Sequence, residues 1–470
     1  MIELPFFHGL PVAVMGLGKS GLAAARALQA SGGEVWAWDD SEDRRAEARA
    51  AGVPLVDLHS CNWAEVPSLV LSPGIPDRFP EPHPVAAAAR AAGAEVIGDI
   101  ELLGRACPDA SYIGITGTNG KSTTTALIGH ILKLSGRDCE VGGNLGPSVM
   151  EFEMRGSSGS YVLEMSSYQL ERTFSITFDV AVLLNISPDH LDRHGGLQGY
   201  VAAKRNIFRR QTAPRTAVIG VDDETCRAIH AELLASGDQS IVAISGKGPV
   251  AGGVYVENGV LIDDTEGKQV PALPLSEVAT LPGLHNAQNA AAAYAACKAA
   301  GVDPAVIAAC IRSFPGLAHR QEVIAVIDGV AYINDSKATN ADATAKALAC
   351  YRRIHWIAGG RAKEGGLAGL ERYYPKISRA YLIGEAAEAF ASDLQGAVAS
   401  ERCGNLKSAV AAASKAAKAD GEGAVVLLSP ACASFDQFAN FEARGEAFRA
   451  LVEALPGTRE DIDVNPGGRP

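Results

Sequence analysis

Through the first hundred residues, short apolar runs alternate with alanine-rich stretches of mixed polarity. Val12-Ala13-Val14-Met15 predicts a buried strand, Gly21 to Ala30 a helix, and Glu34 to Trp38 the next strand. Val70-Leu71 then leads into Ser72-Pro73-Gly74-Ile75-Pro76, a turn-rich strand end. This order of strand and helix is the grammar of βαβ units around a parallel sheet.

A second series of the same kind starts near Tyr112. Its strand-like runs are Tyr112 to Ile115, Tyr161 to Leu163 and Val180 to Leu184, each followed by polar or glycine-rich residues. Residues 250–270 alternate turns with short apolar runs, which predicts a β insertion, and an alanine-rich helix is expected from His285 to Ala300. Phe314-Pro315-Gly316-Leu317 reads as a boundary. After it a third α/β series begins, with strands expected at 323–327, 355–358, 380–383 and 425–428. The predicted organisation is therefore α/β in three domains, at 1–107, 108–316 and 317–456. Residues 457–470, rich in glycine, proline and polar side chains, are expected to be a flexible tail.

Bulk properties narrow the function. A chain of 470 residues with 47% apolar and 20% charged residues can bury three cores. Its net charge of −12 argues against a general binder of nucleic acid or membrane surfaces, which needs a basic stripe. A small anionic ligand stays possible, because a few lysines and helix N-termini hold phosphate locally. Met1-Ile2-Glu3-Leu4-Pro5 carries an acid and a proline where a secretory signal has basic residues and an apolar core. The 9 cysteines form no C-x-x-C pair and read as reduced, mostly buried thiols of a cytoplasmic protein.

Five segments carry chemistry. Gly16-Leu17-Gly18-Lys19-Ser20-Gly21 fits G-x-G-x-x-G between a strand and a helix, with Asp39 and Asp40 about twenty residues on. By itself it suits a dinucleotide, another nucleotide diphosphate, or only a tight turn. Thr116-Gly117-Thr118-Asn119-Gly120-Lys121-Ser122-Thr123 follows a strand and opens a helix, so backbone N–H groups can wrap a triphosphate. Lys121 would reach the β- and γ-phosphates and Ser122 would face Mg²⁺. It is a variant loop, since Ile115 stands where the usual pattern has its first glycine. Glu164 ends a strand and can take the same Mg²⁺.

In the third of these regions, Asn185 to His194, His190 is a candidate second metal ligand, although a histidine after a strand is more often structural. Lys204, in a predicted helix, reads by itself as a surface lysine. Asn334 to Asn340 and Ser429 to Phe438 are polar turns at strand ends, where open α/β sheets bind ligands. Cys432, with no histidine near it in sequence, is expected to pack rather than react.

Together these blocks resemble the Mur ligase family over roughly residues 10 to 455. The family-level markers are Thr116 to Thr123, Glu164, Asn185 to Arg193 and His285 to Ala290. Gly16 to Gly21, Ser72 to Ile75, Gly142 to Gly146, Asn334 to Asn340 and Ser429 to Phe441 point to the member that adds D-glutamate. The resemblance implies an N-terminal Rossmann-like domain for UDP, a central P-loop ATPase-like domain with the β insertion, and a C-terminal Rossmann-like domain. It implies a cytoplasmic, monomeric enzyme that uses ATP and two Mg²⁺ ions to join D-glutamate to UDP-N-acetylmuramoyl-L-alanine through an acyl phosphate.

Carried over by motif, Gly18, Lys19, Ser20, Asp39, Asp40, Ser72, Pro73, Gly74 and Asn144 would hold the UDP substrate. Gly117, Thr118, Asn119, Gly120, Lys121, Ser122, Thr123, Asn286, Asn289, Arg320, Asp335 and Lys337 would frame ATP. Ser122, Glu164, His190 and Lys204 would bind metal, with Lys204 as a carbamate. Thr339, Lys363, Ser434 and Phe441 would receive D-glutamate. Relatives often have Asp-Gly before the lysine matched by Lys363, where this chain has Arg361-Ala362, which weakens that assignment. A folylpolyglutamate synthetase shares the ATP machinery, but its pterin substrate has no diphosphate for Gly16 to Gly21. A nicotinamide-dependent oxidoreductase leaves the Lys121 loop unexplained, and a non-enzymatic nucleotide-binding regulator has no use for a second metal site.

Overall fold

The computed structural model describes residues 1–460 except Ala279 and Glu364. By its internal contacts the chain divides into two compact units. One comprises Met1–Leu273 with Ala287–Ile311, and the other Pro274–Asn286 with the chain from Arg312 onward.

The first unit holds two sheets. The N-terminal sheet is built from β1 (Pro11–Met15), β2 (Glu34–Trp38), β3 (Ser68–Leu71) and β4 (Glu95–Ile97), all parallel, in the order β2-β1-β3-β4. The second sheet has nine strands. They are β5 (Ser111–Thr116), β6 (Cys139–Gly143), β7 (Ser160–Glu164), β8 (Val180–Leu183), β9 (Thr216–Gly220), β10 (Ser240–Ser245), β11 (Val254–Glu257), β12 (Val260–Asp263) and β13 (Val270–Pro274). Their order is β13-β12-β11-β10-β9-β8-β5-β7-β6. From β6 through β11 the pairings are parallel, and the expected β insertion is the antiparallel β11–β12 hairpin with β13 at the sheet's edge.

β3 and β8 are buried at every position, as parallel strands covered on both faces should be. Their apolar neighbours form one continuous core, in which Val14 and Leu28 of the N-terminal part share a cluster with Tyr161 and Leu163 of the second sheet.

The second unit holds a seven-stranded sheet made of β14 (Glu322–Ile327), β15 (Val330–Asn334), β16 (Ile354–Gly359), β17 (Ile377–Ile383), β18 (Ser400–Gly404), β19 (Val425–Leu428) and β20 (Arg459–Glu460). The order is β18-β17-β16-β19-β15-β14-β20, parallel except where β14 pairs with β15 and β20. All four expected strands are present. β20 corrects the expectation of a tail loose from 457, since Arg459 and Glu460 pair with Ile327 and Val326 and the Asp328 carboxylate accepts from the Thr458 N–H at 2.8 Å. The rest of the expected tail, 461–470, lies outside the described residues.

Helix starts fall into two kinds. Asp223, Asn340, Asn405 and Asn440 cap their helices with a side-chain oxygen that accepts a backbone N–H of the first turn. Gly18 and Gly120 begin theirs with no side-chain cap, which leaves the first N–H groups open to a ligand. No helix among the described residues is long and apolar enough to cross a membrane. All nine cysteines are free thiols, and Cys432 is fully buried with its thiol pushed up to about 12 by burial, which fits packing.

Candidate active site

The phosphate loop joins β5 to the helix Lys121–Leu134. Gly120 has a φ of +86°, and a Cβ there would lie 2.2 Å from Asn289 Oδ1, so only glycine fits this turn. Asn289, on the helix Leu284–Ala299, also accepts from Thr124 Oγ1 at 3.3 Å. The Asn119 N–H donates to Asn185 Oδ1 (2.9 Å), and Asn185 Nδ2 donates to Gln288 Oε1 (3.0 Å). Gln288 in turn donates to Asp222 at 3.0 Å. The loop is therefore braced from three directions by amides, of which Gln288, inside the His285–Ala290 marker, was given no role of its own from sequence.

Lys121 folds back over this loop, its ammonium donating to the carbonyls of Gly117 (2.8 Å) and Thr118 (2.9 Å). The Thr118 hydroxyl lies 3.1 Å from that of Tyr200 and accepts from the Ser187 N–H at 3.0 Å. Ser122 and Thr123 are buried in the first turn of the helix.

Lys204 is not the surface lysine its local sequence suggests. Its side chain is buried, Nζ donates to Gly117 O at 2.9 Å, and it stands 4.6 Å from the centre of the Tyr200 ring. Burial, reinforced by the nearby Lys121 charge, lowers it to about 7.

Glu164 ends β7 directly beside the phosphate-loop strand, in register with Ile115. One carboxylate oxygen accepts from Asn144 Nδ2 at 2.8 Å, and the Asn144 N–H donates to the Glu164 carbonyl at 2.9 Å. The other oxygen is buried with no hydrogen-bond partner. A buried carboxylate oxygen with an unfilled lone pair, next to a loop bearing a serine hydroxyl, fits a hard divalent cation of the Mg²⁺ kind.

His190 takes a left-handed conformation with φ +50°. Its half-exposed side chain lies 3.5 Å from Asp189 and against the Tyr168 ring. His194, not singled out from sequence, is fully buried between Ser167 Oγ (2.9 Å) and Glu171 (3.2 Å) and stacks on Tyr168.

In the N-terminal sheet, the glycine loop follows β1. A Cβ on Gly21 would sit 1.7 Å from Gly16 O, whereas one on Gly18 would meet nothing within 4 Å. Gly21 is needed for packing, and Gly18 leaves room for a ligand. Lys19 Nζ donates to Gly146 O. Asp39 accepts the Leu17 N–H (2.7 Å) and the Ser41 N–H (2.9 Å), so it braces the glycine loop. Asp40, the next residue, instead meets His59 and His83.

Ser72 Oγ donates to Gly16 O at 2.8 Å. The loop Ser72–Ile75, including Pro73, is held from behind by Arg172, whose guanidinium donates to the carbonyls of Leu71 (3.1 Å), Ser72 (3.1 Å) and Ile75 (2.9 Å). Arg193 donates to the Gly74 carbonyl at 3.0 Å. Neither arginine's role was visible in its local sequence.

The second unit gathers its own polar cluster at the ends of β15 and β19. Asp335 is buried, accepts from Ser429 Oγ (2.7 Å) and the Gln321 N–H (3.2 Å), and is pushed up to about 7 by burial against the opposing pull of Ser429 and Arg320. Lys337 Nζ stands 5.5 Å from the centre of the Phe441 ring, and the Thr339 N–H donates to the Lys337 carbonyl at 2.9 Å.

The organiser missed from sequence is Arg444. Buried on the helix Phe441–Glu453, it donates to Ser336 Oγ (2.9 Å), Ser336 O (2.8 Å) and Cys432 O (3.1 Å), tying the Asn334–Asn340 turn to the Ser429–Phe438 turn. Ser434 is buried in the latter turn. Asn286 donates to Pro282 O at 2.8 Å, and Arg320 lies in the turn before β14. Lys363 is exposed, and its carbonyl accepts from the Gly366 N–H at 3.2 Å.

Comparison with known proteins adds to this geometry. Residues 115–297 match the Mur ligase middle domain, and residues 319–432 match the glutamate ligase domain of Mur ligases. A UDP-N-acetylmuramoylalanine–D-glutamate ligase of Rhodospirillum rubrum is 53% identical over 100% of this chain and 99% of that protein. One of Paramagnetospirillum magneticum is 52% identical over 97% of this chain and 99% of its own length. Among solved structures, UDP-N-acetylmuramate-alanine ligase from Thermotoga maritima aligns over 95% of this chain and 99% of its own, with a TM-score of 0.60 at 19% identity, a likeness of fold.

Proposed function

Because this chain belongs to the Mur ligase family, ATP-dependent enzymes that form amide bonds, we propose that it joins D-glutamate to UDP-N-acetylmuramoyl-L-alanine in peptidoglycan precursor synthesis. The observation that carries this reading is full-length identity of about half to D-glutamate ligases, in a chain whose phosphate loop and Glu164 stand on adjacent strands.

The reaction has two steps. The alanyl carboxylate attacks the γ-phosphorus of ATP, ADP leaves, and an acyl phosphate forms. The neutral amine of D-glutamate then attacks the acyl carbon, inorganic phosphate leaves, and the amine's proton passes to solvent or a base. Lys121 swings from its loop carbonyls to the β- and γ-phosphates, and the N–H groups after Gly120 take the same oxygens. Two Mg²⁺ ions, when bound, supply charge neutralisation on the phosphoryl oxygens.

Ser122 and Glu164 hold one of these ions. Lys204, as a carbamate, and His190 serve the other. The lowered pKa of Lys204 supports this role, because only a neutral amine adds to CO₂, and adding it turns a cation into an anionic ligand. Gly18, Lys19, Ser20, Ser72, Pro73, Gly74 and Asn144 receive the UDP substrate, with Asp39 and Asp40 toward the uridine end. Asn286, Asn289, Arg320, Asp335 and Lys337 serve ATP, while Thr339, Lys363, Ser434 and Phe441 serve D-glutamate. We assign the domains as 1–107, 108–316 and 317–456, the last extended by β20 at the edge of its sheet, and the protein as a cytoplasmic monomer.

The test is phosphate release from ATP with UDP-N-acetylmuramoyl-L-alanine and, one at a time, D-glutamate, L-glutamate, L-alanine and meso-diaminopimelate. Release that requires both the UDP substrate and D-glutamate is expected. Release with a different amino acid moves the chain to a sister activity. No release from folded, ATP-binding protein overturns the substrate assignment in favour of a folate-type ligase.

A further inference from the structure

Asp40, His59 and His83 come from three separate segments of the N-terminal sheet region. Asp40 follows β2, His59 lies in the loop before the short helix Trp63–Glu65, and His83 immediately precedes the helix Pro84–Ala91. One carboxylate oxygen of Asp40 lies 2.9 Å from His59 Nε2 and the other lies 2.8 Å from His83 Nε2. The three ligand-type atoms all fall within 4.8 Å of one another, and the two ring centroids are 5.7 Å apart with their planes tilted by 52°. Two imidazoles and one carboxylate gathered this closely are the donor set of a zinc-class site with three protein ligands.

We propose that Asp40, His59 and His83 form a binding site for a divalent transition-metal ion of the Zn²⁺ class. The donor set decides the class. Two ring nitrogens and one oxygen suit Zn²⁺ or Co²⁺, whereas Mg²⁺ takes oxygen ligands in octahedral geometry, so this site is chemically distinct from one built on Glu164. Metal binding requires both Nε2 atoms to be unprotonated, which moves each neutral ring's proton to Nδ1. At His83 this gives up the acceptor that Nδ1 offers the Val85 N–H, a long contact of 3.3 Å at a helix start where water can replace it. At His59 no such cap is involved, and its side chain is part-exposed, which leaves a path of entry. A bound ion would cross-link three loops, and would do so at Asp40, the residue assigned above to the uridine end.

The experiment is titration of the full-length protein with Co²⁺ in excess Mg²⁺ and without nucleotide, read by visible absorption and followed by displacement with Zn²⁺. The expected result is one equivalent of Co²⁺ with the intense visible bands of four-coordinate nitrogen/oxygen ligation, bleached by one equivalent of Zn²⁺. His59→Ala and His83→Asn should each abolish the bands while keeping the wild-type circular dichroism and melting transition. Asn at position 83 retains a helix-capping oxygen, which guards against loss of fold. Bands that survive in either folded variant, thiolate charge-transfer bands in place of nitrogen/oxygen ones, or no binding to the wild type would each overturn the site. No step depends on ligase activity, so failure here is separate from failure of the proposed reaction.

Discussion

Lys121 and Lys204 share one acceptor: both ammonium groups donate to the Gly117 carbonyl, at 2.8 and 2.9 Å. Two cations on one oxygen repel, and Lys204 is the more deeply buried, so it is the one whose charge is disfavoured.

A first prediction concerns the charge at position 204. With its pKa lowered from an ordinary 10.5 to about 7, the folded state lacks a proton that the unfolded chain holds between those values. Stability therefore rises with pH across that window, and below it the buried ammonium costs stability. Lys204→Met should flatten this dependence, raise the melting temperature near neutral pH and abolish ligase activity. Lys204→Arg cannot carbamylate and should be equally inactive. Activity of Lys204→Ala restored by a short-chain carboxylic acid would support the carbamate. A Lys204→Arg variant of full activity would exclude it.

At Glu164 the expected change is in catalysis with little change in folding. Glu164→Gln keeps an acceptor for Asn144 and replaces an oxygen that already lacks a partner, so its melting temperature should stay close to wild type. If Glu164 holds Mg²⁺ as proposed, its loss removes several kcal/mol of charge stabilisation, or ~10²-fold or more in kcat. Raised Mg²⁺ should recover part of that loss. Asn144→Ala should give a smaller defect of the same kind, because it frees the carboxylate to rotate.

Much of this site could be read from the chain because its chemistry is local. A phosphate loop needs a strand, glycines and a lysine in immediate succession, and Thr116 to Thr123 carries them all. Buried strands such as Val180–Leu183 and Val425–Leu428 announce themselves as apolar runs. β18, with the sequence Ser-Glu-Arg-Cys-Gly, does not, because it is an exposed edge strand with no face to bury. Lys204, Arg172 and Arg444 were illegible for a different reason. Each is a long charged side chain that reads as surface, and each is buried only because distant loops converge on it.

Asp335 provides a prediction in the second unit. Burial pushes its carboxyl from an ordinary 3.8 up to about 7, so the folded state holds a proton through that range that the unfolded chain has lost. Its contribution to stability is fully present below about pH 4 and is lost as pH rises through 7. Asp335→Asn should be more stable than wild type at pH 8, with the advantage shrinking as pH falls from 7 and vanishing only below about pH 4, as followed by thermal melting. An advantage independent of pH would show that Asp335 is not the titrating group. If the carboxylate also serves ATP, the same variant should show a raised KM for ATP.

Arg172 offers the sharpest separation of binding from chemistry. It follows the short helix Ser167–Glu171, only a few residues beyond Glu164, yet its guanidinium supports the Ser72–Ile75 loop that leaves β3. Substitution by alanine leaves three carbonyls without their donor, at a cost of ~2–4 kcal/mol in stability. Arg172→Lys keeps the charge but cannot reach all three acceptors in one plane. In Arg172→Lys the KM for the UDP substrate should therefore rise several-fold, with kcat and the KM for ATP little changed, because the phosphate loop is braced independently through Asn185 and Gln288. Equal losses for both substrates would instead mean that the arginine acts only through global stability.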